Sequence, residues 1–420
     1  MDKKPLTIVK VLYGRPHIGG SGISGTQLAV ELGKRGHDVH IVSYPDTYLL
    51  PEEEKYVDHH AVSDFVYGSF KHQPFTASFP SKIIQLAQNR NIDVLHAHYG
   101  VLHGEVVNKA RDIIKRYRRL GKLPLQSNDP ISIITNRGTD ITVNGHSSQM
   151  LPALEEDLNN ADYITFVSKT LRNEAVELFD LDNQGSVIYN FIQSEKFSRP
   201  EGDVINLELR NKYGVSKDDL VFYHVSNFRP VKNTSSILPA YKLALENGMT
   251  NSKFLFIGDG PDKHKVKNQV TEFGLEDKVI FTGLVSPESV PNYSQMGNIL
   301  VLPSFKESFG RVNLEAMHLG NAVLASKVGG IPEVVHSGVT GYLFDPKNTD
   351  ELASYMKLLS ERPDIVQRFG NAGKLIAEST FGLDTIVDQY EQLYYRLVDS
   401  KKSSIDLVSK HNDQRVDLYD

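Results

Sequence analysis

The sequence predicts an α/β protein of two domains, each a parallel β-sheet covered by helices. The chain has 420 residues, more than one hydrophobic core usually holds. Short apolar runs alternate with longer segments of helical spacing, which is the rhythm of parallel sheets. This rhythm stops at the polar stretch SEKFSRPEGD and then restarts. We therefore predict an N-terminal domain over 1–195 and a C-terminal domain over 196–382.

The first half alternates strands and helices in order. Its strands are predicted at 6–13, 37–44, 93–99, 131–136 and 162–168, where short apolar runs stand between the helical segments. Its helices are predicted at 25–36, 79–92, 105–121 and 151–161, where apolar residues recur at three- and four-residue spacing.

The second half repeats the pattern without repeating the sequence. Its strands are predicted at 219–228, 253–260, 278–283, 298–304, 321–328 and 340–346, and its helices at 234–246, 263–274, 287–296, 313–319 and 331–335. An amphipathic helix is predicted at 383–400. The last residues, 401–420, are polar and are expected to form a frayed tail.

The composition excludes several classes of protein. There is no cysteine, so disulfides, thiolate metal sites and cysteine nucleophiles are excluded. The formal net charge is −6, which argues against a general nucleic-acid binder. No segment approaches the roughly 20 apolar residues of a membrane-spanning helix, and the apolar run near the start is too short for a signal peptide. We expect a cytoplasmic protein.

Two loops that follow strands carry residues suited to a ligand. The stretch HIGGSGISG, 17–25, joins the first strand to its helix, where backbone N–H groups could approach a ligand or simply make a tight connection. The stretch SNFRPVKN follows the first strand of the second half. Its Arg229 and Lys232 are suited to a diphosphate, with a solvated loop as the alternative.

The stretch FKESFGRVNLEA, 305–316, combines two carboxylates with a glycine turn. Glu307 lies on the loop after a strand, Gly310 permits a tight turn, and Glu315 falls in the first turns of the next helix. A carboxylate accepts hydrogen bonds from paired hydroxyls, so Glu315 suits a ribose and Glu307 a sugar. The alternatives are a helix-dipole partner for Glu315 and a solvated Glu307.

These motifs together resemble the retaining glycosyltransferases of family 4. The resemblance is carried by ESFGRVNLEA at 307–316, VGGIPEVV at 328–335 and SNFRPVK at 226–232, and it covers residues 6 to about 397. It implies the GT-B fold, in which two Rossmann-like domains with parallel sheets face an interdomain cleft. It also implies that the helix at 383–400 crosses back onto the first domain.

The resemblance assigns roles on the donor side. Glu315 would hold the ribose, Glu307 the transferred sugar, and Arg229 with Lys232 the diphosphate. The expected donor-binding set is Gly19, Gly20, Arg229, Lys232, Gly283, Leu284, Glu307, Ser308, Phe309, Gly310, Arg311, Val312 and Glu315. No metal and no cofactor besides the UDP-sugar substrate is expected, since two cations stand where a metal would.

The acceptor side contains one departure from the family pattern. Similar enzymes carry a histidine immediately before the GTDIT stretch, where this chain has Arg137. Arginine cannot act as a general base near neutral pH. It could aid the leaving group, bind a more anionic acceptor, or mark a protein that binds without transfer. The expected acceptor-binding set is Arg15, His17, Ser21, Tyr99, Arg137, Thr139 and Asp140, and the expected catalytic set is Arg137, Glu307, Arg229 and Lys232.

We therefore expect a metal-independent retaining hexosyltransferase that moves a sugar, N-acetylglucosamine by expectation, from a UDP-sugar to a small anionic acceptor such as L-malate. The alternatives are a transferase of cell-envelope glycans or glycolipids and a nucleotide-sugar-binding protein without transfer. The helix at 105–121 is rich in Lys and Arg, so weak membrane contact is weighed against a solvated face. A homodimer is a further expectation, and nucleic acid is not an expected partner.

Overall fold

The structure, a computed structural model, describes residues 3–14, 20–62, 75–124, 129–192 and 207–416. The chain divides into two compact units. The first contains the residues up to Ile188 together with those from Ile386 onward, and the second is Tyr189–Thr385. The predicted boundaries at 195 and 382 lie a few residues from these divisions.

The first unit contains a seven-stranded parallel sheet in the order β3-β2-β1-β4-β5-β6-β7. Its strands are β1 Thr7–Val11, β2 Asp38–Ser43, β3 Asp58–Ala61, β4 Val94–Ala97, β5 Ile131–Asn136, β6 Tyr163–Phe166 and β7 Ser186–Val187. Its helices are α1 Gly20–Lys34, α2 Phe75–Ala87, α3 His103–Arg119, α4 Thr139–Thr142, α5 Leu151–Asn160 and α6 Lys169–Leu178. Every residue of β4 and β5 is buried, as expected for central strands of a sheet covered on both faces.

The second unit contains a six-stranded parallel sheet in the order β10-β9-β8-β11-β12-β13. Its strands are β8 Leu220–Val225, β9 Ser252–Ile257, β10 Val279–Gly283, β11 Ile299–Leu302, β12 Ala322–Ser326 and β13 Gly341–Phe344. Its helices are α7 Leu207–Lys212, α8 Ile237–Glu246, α9 Lys263–Phe273, α10 Val290–Ser294, α11 Arg311–His318, α12 Ile331–Val334, α13 Thr349–Glu361 and α14 Pro363–Phe381. The last helix, α15 Leu383–Val416, begins at the end of this unit.

The strand order reverses once in each sheet, between β1 and β4 in the first and between β8 and β11 in the second. Parallel α/β sheets bind ligands beyond the carboxyl ends of the strands at such a switch point. The loops after β1, β4, β8 and β11 are therefore the places to look for function.

The sequence-based prediction missed several elements. Two of them, helices α6 and α13, carry a recognisable capping residue. Helix α6 is capped by Ser168, whose hydroxyl accepts a hydrogen bond from the Leu171 amide at 3.1 Å. Helix α13 is capped in the same way by Asn348. Strand β3 is short and polar, so its apolar signal was weak.

The predicted end of the final helix at 400 is wrong. The helix continues to Val416, and from Leu383 onward it contains neither glycine nor proline to stop it. None of the described helices is both long enough and apolar enough to cross a membrane.

Candidate functional site

The switch point of the second unit is closed by an ion pair between two predicted donor-binding residues. Lys232 follows β8 and Glu307 follows β11, and the Lys232 Nζ lies 2.6 Å from Glu307 Oε2. The side chains of Lys232 and Glu307 are 23% and 17% exposed, so the pair is mostly buried but remains accessible to a ligand. Arg229 lies on the same loop as Lys232 and is exposed. Two cations and a carboxylate thus share the place where this fold binds ligands.

The VGG stretch, residues 328–330, holds the loop that carries Glu307 in place. Gly329 has a φ of +50°, and a methyl group on it would lie 1.9 Å from the Glu307 carbonyl oxygen. The Gly330 amide donates a hydrogen bond of 3.0 Å to that same oxygen. Only glycine permits this approach of one backbone to another. The motif therefore supports Glu307 from behind.

The GDGP stretch, residues 258–261, supports the loop that follows β8 in the same way. Gly258 and Gly260 have positive φ angles, and a methyl group on either would strike the carbonyl oxygen of Ser226 or Asn227, respectively. The stretch is therefore a closely packed connector. Gly283 ends the edge strand β10, where its carbonyl accepts a hydrogen bond from Gly258, and Leu284 beside it is 69% exposed.

The glycine turn before α11 has the geometry that the sequence predicted. Gly310 adopts a left-handed conformation with φ +77° immediately before Arg311 begins the helix. Phe309 is buried, packing near Tyr189 and Phe381 in the same unit, while Ser308 and Val312 are half-buried. The helix N-terminus therefore opens beside Glu307, where a methyl group on Gly310 would come within 3.3 Å of the Glu307 Cγ.

Glu315 pairs with an arginine of its own helix, a contact that was not foreseen, and its role in ligand binding stays a prediction. Its Oε1 lies 3.2 Å from the Arg311 Nε, four residues earlier, and its side chain is 15% exposed. Burial raises the pKa of Glu315, an effect that Arg311 partly offsets. A buried carboxylate held by a single arginine retains lone pairs for a ligand diol.

One polar residue at this site was missed by the sequence analysis. Asn313 is completely buried, and neither its Oδ1 nor its Nδ2 has a hydrogen-bond partner among the described residues. Its Nδ2 would meet a methyl group on Gly310 at 2.6 Å, which places it against the glycine turn. The available signal was a single polar residue on the buried side of α11, next to apolar Leu314. An amide without partners at the start of a helix is suited to a polar ligand.

In the first unit, the predicted acceptor residues follow β4 and β5. The Tyr99 hydroxyl lies 2.6 Å from the Thr139 Oγ1, so these two residues meet as a pair. Asp140 is fully buried and accepts hydrogen bonds from the backbone amides of Gly100, Arg137, Gly138 and Ile141. Asp140 thus fixes the loop, and in this conformation its carboxylate is not open to an acceptor.

Arg137 contacts a chain of buried polar side chains. Its Nη2 lies 2.6 Å from the His98 Nδ1, and the other ring nitrogen of His98 lies 2.9 Å from the Lys10 Nζ. Lys10 in turn contacts His96 Nδ1 at 3.2 Å and the Tyr394 hydroxyl at 3.3 Å. Burial lowers the pKa of Lys10, His96 and His98 well below their usual ranges, with neighbouring cations adding to the effect.

The glycine-rich stretch at 17–25 is only partly described. Arg15, His17 and Gly19 lie outside the described residues, while Gly20 and Ser21 begin α1. A methyl group on Gly22 would lie 2.1 Å from the Tyr13 carbonyl oxygen, which shows that at least this glycine serves the close packing of α1 on the end of β1.

Two of the basic side chains of helix α3 are buried, so its surface carries less positive charge than the sequence suggests. Arg111 is buried and binds Asp112, Asp162 and the Asn160 carbonyl. Arg118 is also buried, near Asp129. Two of its cations therefore hold the unit together, and membrane contact by the others stays a prediction.

Comparisons with known proteins agree with these features. The sequence model described as Glycosyltransferase Family 4 matches residues 18–196, and that described as Glycosyl transferases group 1 matches 206–375. The N-acetyl-alpha-D-glucosaminyl L-malate synthase of Bacillus anthracis is 31% identical over 92% of this chain and 97% of that protein. The alpha-monoglucosyldiacylglycerol synthase of Streptococcus pneumoniae is 24% identical over 83% of this chain and 77% of that protein.

Two solved structures share the fold. HepE of Anabaena, in complex with UDP, superposes with a TM-score of 0.74 at 21% identity, covering 93% of this chain and all of that one (100%). Sucrose-phosphate synthase of Thermosynechococcus elongatus superposes with a TM-score of 0.73 at 19% identity, covering 94% and 100%.

Proposed function

Because this chain belongs to the family 4 glycosyltransferases and has their GT-B fold, we propose that it transfers N-acetylglucosamine from its UDP-sugar to a small anionic acceptor such as L-malate. The observation that carries the donor half is the Lys232–Glu307 pair at the switch point. The acceptor half is supported by the 31% identity to an N-acetyl-alpha-D-glucosaminyl L-malate synthase over 92% of this chain.

The donor would be held as follows. Glu315 receives the ribose hydroxyls, Arg229 and Lys232 neutralise the diphosphate, and the amides that begin α11 add backbone donors. Glu307 receives hydroxyls of the sugar while it remains beside Lys232. Retention is what the family resemblance implies. No metal is needed, because two cations balance the charge that develops on the departing diphosphate.

Arg137 takes the position of the histidine in similar enzymes. A guanidinium always donates and never accepts, so it stabilises an anion rather than removing a proton. The acceptor proton then passes to the departing diphosphate, and Arg137 holds the acceptor carboxylate or that phosphate. Tyr99 and Thr139 lie on the two neighbouring loops and complete this side.

The test is the release of UDP from UDP-N-acetylglucosamine, with and without L-malate. The wild type and Arg137→His are compared, with Arg172→His as a control, since Arg172 of α6 is half-buried and its guanidinium contacts Gln184, which is not a predicted site residue. Malate-dependent release by the wild type supports the proposal.

Release only by Arg137→His would refute malate as the acceptor of this chain. Silence in both variants, with UDP binding intact, would refute this acceptor class and favour the cell-envelope alternative. Absence of UDP binding would refute the donor half as well.

A further inference from the structure

The contacts of His98 determine where its protons lie. Arginine carries hydrogens on both terminal nitrogens at any physiological pH, so the His98 Nδ1 at 2.6 Å from Arg137 must accept. A neutral imidazole has one lone pair, so the Nε2 of His98 carries the proton. That N–H points at the Lys10 Nζ, 2.9 Å away.

An ammonium at Lys10 does not fit this arrangement. It would have only hydrogens to offer to the His98 Nε2, and accepting them would require an imidazolate with lone pairs on both nitrogens. A neutral amine does fit. It accepts from His98 and donates to the Tyr394 oxygen at 3.3 Å. The Tyr394 hydroxyl in turn donates to the His96 Nδ1 at 2.6 Å, and the Lys10 Nζ lies beside that nitrogen at 3.2 Å.

The surroundings of Lys10 agree with a neutral amine. Lys10, His96, His98 and Tyr394 are all completely buried. The charged or titratable groups facing the amine are those two histidines, Tyr394, Tyr390 whose ring lies 5.9 Å away, and Arg137 beyond His98. Among the described residues, no carboxylate lies within ion-pair distance of it. A buried lysine without an anion loses its proton readily.

We propose that Lys10 is an uncharged amine that accepts the Nε2–H of His98, and that it thereby holds the His98 ring in the tautomer that receives Arg137. Lys10 and His98 are thus positioning residues for the guanidinium. The part that concerns catalysis rests on the proposed function, whereas the charge state of Lys10 does not depend on it.

The first test is NMR of the whole chain with lysine labelled at the ε-carbon and histidine labelled at the ring nitrogens. We expect one lysine signal with the shift of a neutral amine at pH 7, which disappears in Lys10→Met. His37 is also protonated on Nε2, because its Nδ1 accepts from the Leu6 amide. Among the histidines protonated on Nε2, we expect one signal that is missing in His98→Gln. If Lys10→Met does not fold, Lys10→Gln provides the assignment.

The second test removes Arg137. In Arg137→Met, His98 is free to place its proton on Nδ1 and to accept from a charged lysine, so the neutral signal should shift toward the ammonium at pH 7. Arg172→Met should leave it unchanged. A Lys10 signal of an ammonium in the wild type would overturn the proposed charge state, and no change in Arg137→Met would overturn the link between Lys10, His98 and Arg137, whatever the transferase activity is.

A separate observation concerns the edge of the first sheet. Strands β2 and β3 pair in parallel with His40 opposite Asp58. Alternate residues of a strand face the same way, so Asp58 and His60 project together beside His40, while His59 projects to the other face. His59 indeed bonds the Ser43 hydroxyl at 2.7 Å.

These three side chains have the spacing of a metal site. The His40 Nδ1 lies 3.1 Å from His60 Nε2 and 3.4 Å from Asp58 Oδ2, and all three donor atoms lie within 4.8 Å of one another. Zinc bonds to such ligands are about 2.0–2.2 Å long, which puts tetrahedral ligands roughly 3.3–3.5 Å apart. The other nitrogen of His40 lies 3.1 Å from Asp38, as carboxylates commonly do behind a zinc-binding histidine.

We infer that His40, Asp58 and His60 bind Zn²⁺ and that the ion joins the edge strand β3 to β2. Arg90 is the competing cation, since its Nη2 lies 3.5 Å from Asp58. Its side chain is 35% exposed and can turn into solvent when the ion enters.

Zinc titration of the full chain, followed by calorimetry and by thermal unfolding, tests this inference. We expect stoichiometric binding and a raised Tm in the wild type and in the control His59→Ala, loss of both in His60→Ala, and tighter binding in Arg90→Ala. Equal zinc responses in the wild type and His60→Ala, or no response in any variant, would overturn it.

Discussion

The ammonium of Lys232 lies 2.6 Å from the carboxylate of Glu307, across the point where the strand order of the second sheet reverses. Each residue stands on a loop that a glycine contact fixes from behind, so the pair is a rigid feature. A diphosphate that enters beside Lys232 shares this cation with Glu307. The charged groups of the site are therefore already in position before the donor binds.

Changing Glu307 to glutamine should free Lys232 and leave UDP affinity unchanged or slightly raised, while transfer falls by at least about a hundredfold, or 2.7 kcal/mol. Isothermal titration with UDP and the rate of UDP release measure the two effects. Lys232→Met should weaken UDP, and a double-mutant cycle should show coupling between the two residues. Additive effects would contradict the pairing.

Changing Glu315 to alanine should weaken UDP itself. A hydrogen bond to a charged group contributes about 1.5–3 kcal/mol, which predicts a loss of roughly ten- to hundredfold in UDP affinity. Titration with UDP and with uracil alone separates the ribose contact from the base. If Glu315→Ala and Glu307→Gln lose UDP affinity equally, the division of labour between the two carboxylates is refuted.

Replacing Asn313 by leucine should stabilise the free protein by about 1–3 kcal/mol, because two buried polar atoms without partners are removed. If this amide contacts the donor, the same change should weaken UDP-sugar binding. The matched control is Asn321→Leu, whose amide donates to the Tyr223 hydroxyl at 3.0 Å, and which should destabilise. Urea unfolding measures both, and a destabilised Asn313→Leu would contradict the prediction.

The buried lysine should make stability depend on pH. Because the pKa of Lys10 in the folded chain lies well below its ordinary value of 10.5, the unfolded chain binds more protons between those two values. The free energy of unfolding therefore rises with pH in that interval and falls as the pH is lowered. Between about pH 8 and 10 the wild type should gain up to about 1.4 kcal/mol per pH unit relative to Lys10→Met. The control is Lys242→Met, which replaces a lysine whose side chain is 41% exposed. It should leave the change of the unfolding free energy with pH as it is in the wild type.

Gly329 and Gly338 offer a matched pair of substitutions to alanine. Both have positive φ, but a methyl group on Gly338 meets nothing within 4 Å, whereas one on Gly329 meets the Glu307 carbonyl. We expect Gly338→Ala to cost about 1 kcal/mol of stability with activity intact. Gly329→Ala should cost more and should also abolish transfer by displacing Glu307. If both substitutions reduced transfer equally, the positive φ alone would account for the loss, and the contact between Gly329 and Glu307 would not be needed to explain it.

Much of the fold could be predicted because its signals are local. The strand at 131–136 has the predicted bounds, and the predicted α/β class with two parallel sheets is confirmed. Glu307, Arg229 and Lys232 could be singled out because each lies on a loop after a strand, whereas the rest of the donor set came from the family resemblance; the donor roles stay a prediction. The final helix was predicted too short because fraying was inferred from polarity alone.

The remainder could not be predicted, because it depends on contacts between distant parts of the chain. Asn313 looks like an ordinary helix residue until the packing shows that its amide has no partner. Lys10 lies in an apolar strand run, and only the structure shows that His98 and Arg137 surround it. The glycines at 17–25 could form a ligand loop or a tight connection, and only the structure shows that Gly22 serves helix packing.

The contact between Lys10 and Tyr394 spans 384 positions of sequence. The first unit needs the final helix to complete its core, whereas the second unit is one uninterrupted segment. During synthesis, the half that leaves the ribosome first therefore reaches its finished form last, after the second unit has been made. Until α15 arrives, the strand that carries Lys10 lacks its tyrosine partner, and this interval is when the nascent chain has the greatest need of protection from aggregation.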